Sequence, residues 1–135
     1  MADPFDCSAR LNPLALRGIE FYNAGDYFQA HEELELAWRE ERGPIRDLYR
    51  GILQVGLGYF HILRLNYPGA VKMLQRAEPW LAPYPDVCRG VDVAALRSDR
   101  ANAASEILRL GAENLARFNP IYFRPVLLVG QEPGI

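Results

Sequence analysis

Apolar residues recur at helical spacing through most of the chain, and proline, glycine and asparagine break the pattern at intervals. Asn12 before Pro13 reads as an N-cap with proline at the first helical position; Leu14, Gly18, Phe21 and Tyr22 then share a face until Asn23 to Gly25 end the helix. Asp26 caps a second helix that runs to about Arg42, ahead of Gly43 and Pro44. A third fills Ile45 to Leu65 and stops at Asn66, Tyr67 and Pro68, and a fourth runs from Pro68 to Leu81 before the loop APYPD (82–86). Asp92 caps a fifth, predicted from Val93 to about Phe118, with Ala94, Leu96, Ile107, Leu108 and Leu115 among its apolar positions. The tail NPIYFRPVLLVG (119–130) combines two prolines with β-branched and aromatic residues and reads as extended. An apolar tail of this kind is expected to cover its own bundle rather than a partner subunit.

Short loops between helices of similar length favour antiparallel neighbours packed as αα-hairpins. A faint repeat fits this packing: Ala30, Leu34 and Ala37 recur 40 positions later as Ala70, Leu74 and Ala77, each set following a turn. Small residues close after a turn let helices approach, as in tetratricopeptide-like hairpins. The expected fold is all-α: one domain over 1–135, a five-helix bundle of antiparallel hairpins, weakly tetratricopeptide-like, with an extended C-terminal tail.

On a helical wheel the second helix carries Tyr27, Ala30, Leu34, Ala37 and Trp38 as its apolar stripe. His31 and Glu35, four apart, stack along the edge of that stripe beside Trp38, while Glu32, Glu33 and Glu40 face solvent. The third helix is apolar over most of its circumference, which marks it as central. One line interrupts it: Asp47, Gly51, Gln54, Gly58 and His61, at spacings of 4, 3, 4 and 3. Glycine within a helix costs about 1 kcal/mol relative to alanine, so two on one line point to a close helix approach or to room for a small ligand. The simplest packing turns this line toward the His31/Glu35 edge, with Asp47 near Arg39 and the turn.

The stretch AHEELELAW (30–38) begins like the zinc-protease signature H-E-x-x-H and fails at its fifth position, Glu35. Three readings stay open for His31, Glu32, Glu35, Trp38, Asp47, Gln54 and His61. They form a hydrogen-bonded network that fixes helix register, with Glu35 accepting from His31, Gln54 bridging the helices and Trp38 donating its indole N–H. Alternatively, His31, Glu35 and His61 hold a divalent transition metal, with Glu32 or Glu35 as base on a bound water. The third reading is a pocket for an organic ligand. Trp38 and Trp80 end apolar stretches and read as packing residues rather than a ligand cage. No catalytic residue is assigned; Glu32 and Glu35 are the candidates.

The 135 residues, half of them hydrophobic, suit a folded domain with a real core. A net charge of −2 speaks against a nucleic-acid partner, although Arg39, Arg42, Arg46 and Arg50 can form a local basic patch. Cys7 and Cys88, 81 positions apart, fit neither a cysteine zinc site nor a disulfide framework. With no signal-peptide pattern at the start and no apolar run of membrane-spanning length, the expected setting is the reducing cytoplasm.

The stretches FQAHEELELAWR (28–39), RDLYRGILQ (46–54), the histidine of YFHILR (His61) and the following N-Y-P-G-A resemble a family known as domain of unknown function 309. The resemblance runs from about Gly25 to Leu81 and implies a compact helical bundle, with His31, Glu32, Glu35, Trp38, Gln54 and His61 on the signature positions. It implies no reaction. Two positions depart from the pattern: Leu65 stands where glycine is expected before Asn66, and Leu36 where a charged residue is usual. The expected function is a non-catalytic module for binding a partner protein or a second copy, without nucleic acid, membrane or cofactor. The alternative is a metal-dependent hydrolase or oxygenase on His31, Glu35 and His61, assisted by Glu32 or Asp47.

Overall fold

The structure, a computed structural model, describes residues 3–130. Five α-helices are present among them: α1 (Pro13–Asn23), α2 (Tyr27–Glu40), α3 (Arg46–Leu63), α4 (Tyr67–Leu81) and α5 (Val93–Leu110). The expected all-α bundle is the one observed. The starts of four of them follow from side-chain caps: Asn12, Asp26, Asn66 and Asp92 each accept a hydrogen bond from a backbone N–H in the first turn. Each helix packs on the next through α4, and α5 lies against α4.

The 40-residue repeat is structural. A Cβ at Gly18 would lie 2.6 Å from Cγ of Leu34, and one at Gly58 would lie 2.7 Å from Cγ of Leu74. Both glycines and both leucines are thus 40 positions apart, and the turns match as well, with Gly25 and Leu65 each at positive φ before the caps Asp26 and Asn66. Ala30, Leu34, Ala37, Ala70, Leu74 and Ala77 are all essentially inaccessible to water. The α1/α2 and α3/α4 hairpins are therefore two versions of one unit, closed by a leucine seated on a glycine.

The second half departs from expectation in three ways. Helix α5 stops at Leu110 rather than near Phe118, because Gly111 takes φ +74 and reverses the backbone; a 3-10 helix, Ala112–Arg117, follows. The segment before α5 contains a two-residue-turn hairpin, β1 (Val87–Cys88) and β2 (Val91–Asp92), with Arg89 and Gly90 at φ +51 and +80. The tail is not wholly extended: Pro120–Tyr122 forms a short 3-10 turn. As expected, it folds onto its own chain. Asn23 makes two hydrogen bonds to the backbone of Val126, and Leu128 bridges to Val91.

Cys7 and Cys88 form a disulfide, contrary to the reading of two unpaired thiols. The elimination that placed the chain in a reducing compartment loses its basis with that pairing. Sequence spacing gave no sign of it, since the bond depends on the unforeseen β1–β2 turn. Arg89 draws the N-terminal segment in: its backbone N–H donates to the Cys7 carbonyl at 2.7 Å, and its guanidinium to the carbonyls of Phe5 and Asp6 at 3.2 and 3.0 Å. No helix among the described residues is long and apolar enough to cross a membrane.

Two outcomes follow for stability. Closing a loop of 81 residues, the disulfide is expected to contribute about 2–4 kcal/mol, so reductant or Cys88→Ala lowers the urea midpoint, and reductant has no further effect on the variant. Leu65 holds φ +58 with its side chain 60% exposed, so Leu65→Gly removes backbone strain at little cost in burial. Unfolding free energy is expected to rise by about 0.5–1 kcal/mol, the strain relief less glycine's greater freedom in the unfolded chain. Urea titration of the variant checks this.

Candidate functional site

The edge of α2 carries His31, Glu35 and Trp38, as the wheel predicts. His31 Nε2 lies 3.3 Å from one oxygen of Glu35, and Arg39 donates to the other at 2.8 Å. Glu35 is thus held from both directions along its own helix, a geometry that 3.6 residues per turn provides at i−4 and i+4. The expected His31–Glu35 contact is present. The rest of the proposed network is not made: Trp38 Nε1, Gln54 Oε1 and His31 Nδ1 are buried without a hydrogen-bond partner.

Of the line Asp47, Gly51, Gln54, Gly58 and His61, the two glycines and His61 face α4, and only Gln54 also reaches the cavity lined by His31 and Glu35. Cβ atoms at Gly51 and Gly58 would strike Leu81 and Leu74 of α4, at 2.5 and 2.7 Å. The glycines serve the close helix approach, and leucine fills the room read as a ligand space. His61 goes with them. Its Nδ1 lies 3.2 Å from the Asn66 amide nitrogen, and a Cβ on Gly69 would sit 2.9 Å from its ring. Burial, with the Arg64 charge second, holds its pKa below the ordinary histidine value, which favours the neutral ring that accepts from Asn66. Among the described residues no group of three or more His, Cys, Asp or Glu side chains is placed to hold a metal ion, so His31, Glu35 and His61 do not converge.

Asp47 is also elsewhere. It sits near Tyr84 rather than Arg39; burial raises the Tyr84 pKa, and the Asp47 charge adds to it. Glu32 is exposed, as expected, but Glu33 is not. It is 9% exposed, covered by α1, where Arg17 stands 3.7 Å away, and it accepts from Gln29 at 3.4 Å. The wheel placed Glu33 on the wet side because it could not show where α1 would lie.

What the structure assembles instead is built on arginine and tryptophan. The Arg46 guanidinium lies 4.1 Å from the Trp38 ring centroid, and its Nε donates to the Trp38 carbonyl at 3.3 Å. One turn on, Arg50 lies between two indoles, 5.3 Å from Trp38 and 4.5 Å from Trp80. A cavity of about 320 Å³ on one side is lined by His31, Glu35, Trp38, Arg50, Leu53 and Gln54. On the other side a cavity of about 330 Å³ is lined by Arg50, Gln54, Arg76, Pro79 and Trp80. Arg76 and Pro79 continue into a third, shallow and largely apolar, along the outer side of α4 with Tyr67 and Val71.

The three make one trough across α2, α3 and α4, narrowed at Arg50 and Gln54. Arg50 and Arg76, like Arg46, have no carboxylate partner among the described residues, whereas Arg17, Arg39, Arg89, Arg97, Arg100 and Arg109 each have one. The sequence shows Arg46 and Arg50 one turn apart, and that was the available signal. Nothing in it places Arg76 and Trp80 opposite them, and the position of Trp80 at the end of an apolar stretch reads as packing.

The family model for a domain of unknown function, DUF309, matches residues 15–73. The match begins about ten residues before the stretch that carries the resemblance, so that it takes in most of α1, and it leaves the end of α4, α5 and the tail outside. A protein of Bacillus subtilis (strain 168), "Uncharacterized protein YpuF", is 35% identical over 57 residues, 42% of this chain and 33% of its own length. An "Uncharacterized protein" of Aquifex aeolicus (strain VF5) is 27% identical over 78 residues, 57% of this chain and 23% of its own. The chain therefore spans a third or less of these relatives. The family model thus covers residues 15–73, under half of the chain, with the His31–Glu35–Trp38 edge and Gln54 within the matched stretch.

Proposed function

We propose that the protein is a non-catalytic recognition module that binds a segment of a partner polypeptide in the trough across α2, α3 and α4. One observation carries this reading. Buried side-chain polar atoms without a partner are few among the described residues; two are tyrosine hydroxyls of the core, and the other three, on His31, Trp38 and Gln54, belong to residues lining one cavity. A buried polar group left unpaired costs about 1–3 kcal/mol, so a ligand that pairs with such groups recovers free energy the empty cleft forgoes.

The shape favours a polypeptide over a small molecule. Three joined cavities give an elongated trough with an apolar end along α4 and a polar end at α2, which suits successive side chains of one segment. The polar end also has no serine, threonine, cysteine or tyrosine in its lining for His31 to activate. A metal-dependent reaction on His31, Glu35 and His61 has weaker support, because His61 is committed to Asn66 and the start of α4.

Selection of a displayed random dodecapeptide library on the purified chain tests the proposal. Enriched peptides are expected to bind in the micromolar range and to lose at least about tenfold in affinity for Trp80→Ala and for the exposed-site variant Pro79→Ala combined with Arg76→Ala. Circular dichroism establishes that each variant stays helical. Absence of any enriched peptide, or equal binding by folded variants, refutes the reading.

A further inference from the structure

Resting on that polypeptide-binding reading, we infer that the group gripped at the narrow point of the trough is the side-chain carboxylate of an internal acidic residue, held by Arg50 with Arg76 beside it. Charge is the first argument. The chain as a whole is net negative, yet Arg46, Arg50 and Arg76 gather here, and Arg50 and Arg76 lack any acidic partner among the described residues. Glu35 lines the same cleft, but Arg39 and His31 already occupy its two oxygens.

Preorganisation is the second. Lying over both the Trp38 and the Trp80 rings, at 5.3 and 4.5 Å from their centroids, restricts the Arg50 guanidinium without engaging its N–H groups in hydrogen bonds. Its N–H groups lie in the guanidinium plane and make no hydrogen bond to the described residues, whereas the half-buried Arg89, Arg97 and Arg100 all donate to carbonyls. A planar fork with free N–H groups, fixed by aromatic contacts, fits a carboxylate's two oxygens.

The third argument selects an internal residue over a chain terminus. Cavities lie on both sides of Arg50, so a bound segment passes through the narrow point rather than ending there. Gln54, one turn from Arg50, is 7% exposed, and its carbonyl oxygen has no donor. A backbone N–H flanking the acidic residue supplies that donor, which a bare inorganic anion of the same charge does not.

Intrinsic fluorescence reads the site directly, because Trp38 and Trp80 are the chain's two tryptophans. The probes are three dodecapeptide pools, free of tryptophan and tyrosine and random at the flanking positions. One has central Glu and an amidated C-terminus, one has central Gln and an amidated C-terminus, and one has central Gln and a free C-terminus. The Glu pool is expected to shift the emission at a concentration at least about tenfold lower than either Gln pool. Arg50→Gln is expected to abolish that preference, and Arg76→Gln, at an exposed position that does not threaten folding, to reduce it several-fold.

Equal response to the Glu and amidated Gln pools would overturn the carboxylate inference while leaving polypeptide binding standing. A stronger response to the free-terminus pool would overturn the choice of a side-chain carboxylate. No response to any pool would remove the polypeptide reading and this inference together. Persistence of the Glu preference in both folded arginine variants would show that the carboxylate sits elsewhere.

Discussion

A leucine lying on a glycine closes each of the first two hairpins, and much of the remaining structure depends on that contact. Leu34 on Gly18 and Leu74 on Gly58 bring α1 to α2 and α3 to α4 at distances no side chain on the glycine would allow. The intrinsic cost of glycine in a helix is offset by dispersion contacts that a wider spacing would lose. The same approach commits one face of α3. With Gly51 and Gly58 against Leu81 and Leu74, Gln54 lies between two points of closest contact. It is too large for the seam and lies at its rim, lining the cavities on both sides of Arg50. The narrow point of the trough is thus a by-product of how the hairpin closes.

Helix identity was legible because each start carries its own chemistry. Asn12, Asp26 and Asp92 cap as read, and no tertiary information is needed for a side chain to accept from an N–H two or three residues on. Helix ends were less legible: α5 stops at Gly111, a residue whose left-handed conformation is one option among several until the following 3-10 turn fixes it. Facing was least legible. The 4-3-4-3 line on α3 is a true face, but spacing says which residues share it and not which neighbour they meet. Glu33 failed for the same reason. Of the site, the α2 edge with His31, Glu35 and Trp38 could be read, since i,i+4 contacts are local. The arginine between two indoles could not, because Trp80 reaches Arg50 only through the α3/α4 packing.

Away from the trough, the described segments on either side of the bundle are fixed by hydrogen bonds, an ion pair and the disulfide. Glu41, just past α2, receives the Asn12 amide at 3.5 Å and the Tyr49 hydroxyl at 3.3 Å, and lies 3.6 Å from Arg89. Burial first, then the Glu41 charge, pushes Tyr49 up to about 12, so it stays a donor through the whole physiological range. Because the folded value is the raised one, this contribution is complete below the ordinary tyrosine value and is lost as pH climbs from there through about 12. The disulfide, the Arg89 contacts and the Asn23–Val126 pair fasten both terminal segments to the same framework. A frame fastened at these points can hold the unpaired polar groups of His31, Trp38 and Gln54 in place at one site.

That division also cuts across the family match. Trp38, Arg46, Arg50 and Gln54 lie within residues 15–73, whereas Arg76, Pro79 and Trp80 lie just beyond them, on the last turns of α4. One wall of the trough therefore belongs to the matched domain, and the other to the part of this chain that the match does not reach. Arg50 alone, stacked on Trp38, would be a half-exposed cation on a helix edge, where an ion pair is worth little. The second indole, with Arg76 beside it, makes it part of the lining of a cleft, where charge and orientation count for more than on an open helix edge. The shape and charge of the trough are consequently set by α2, α3 and the end of α4 together, and do not follow from the matched segment on its own.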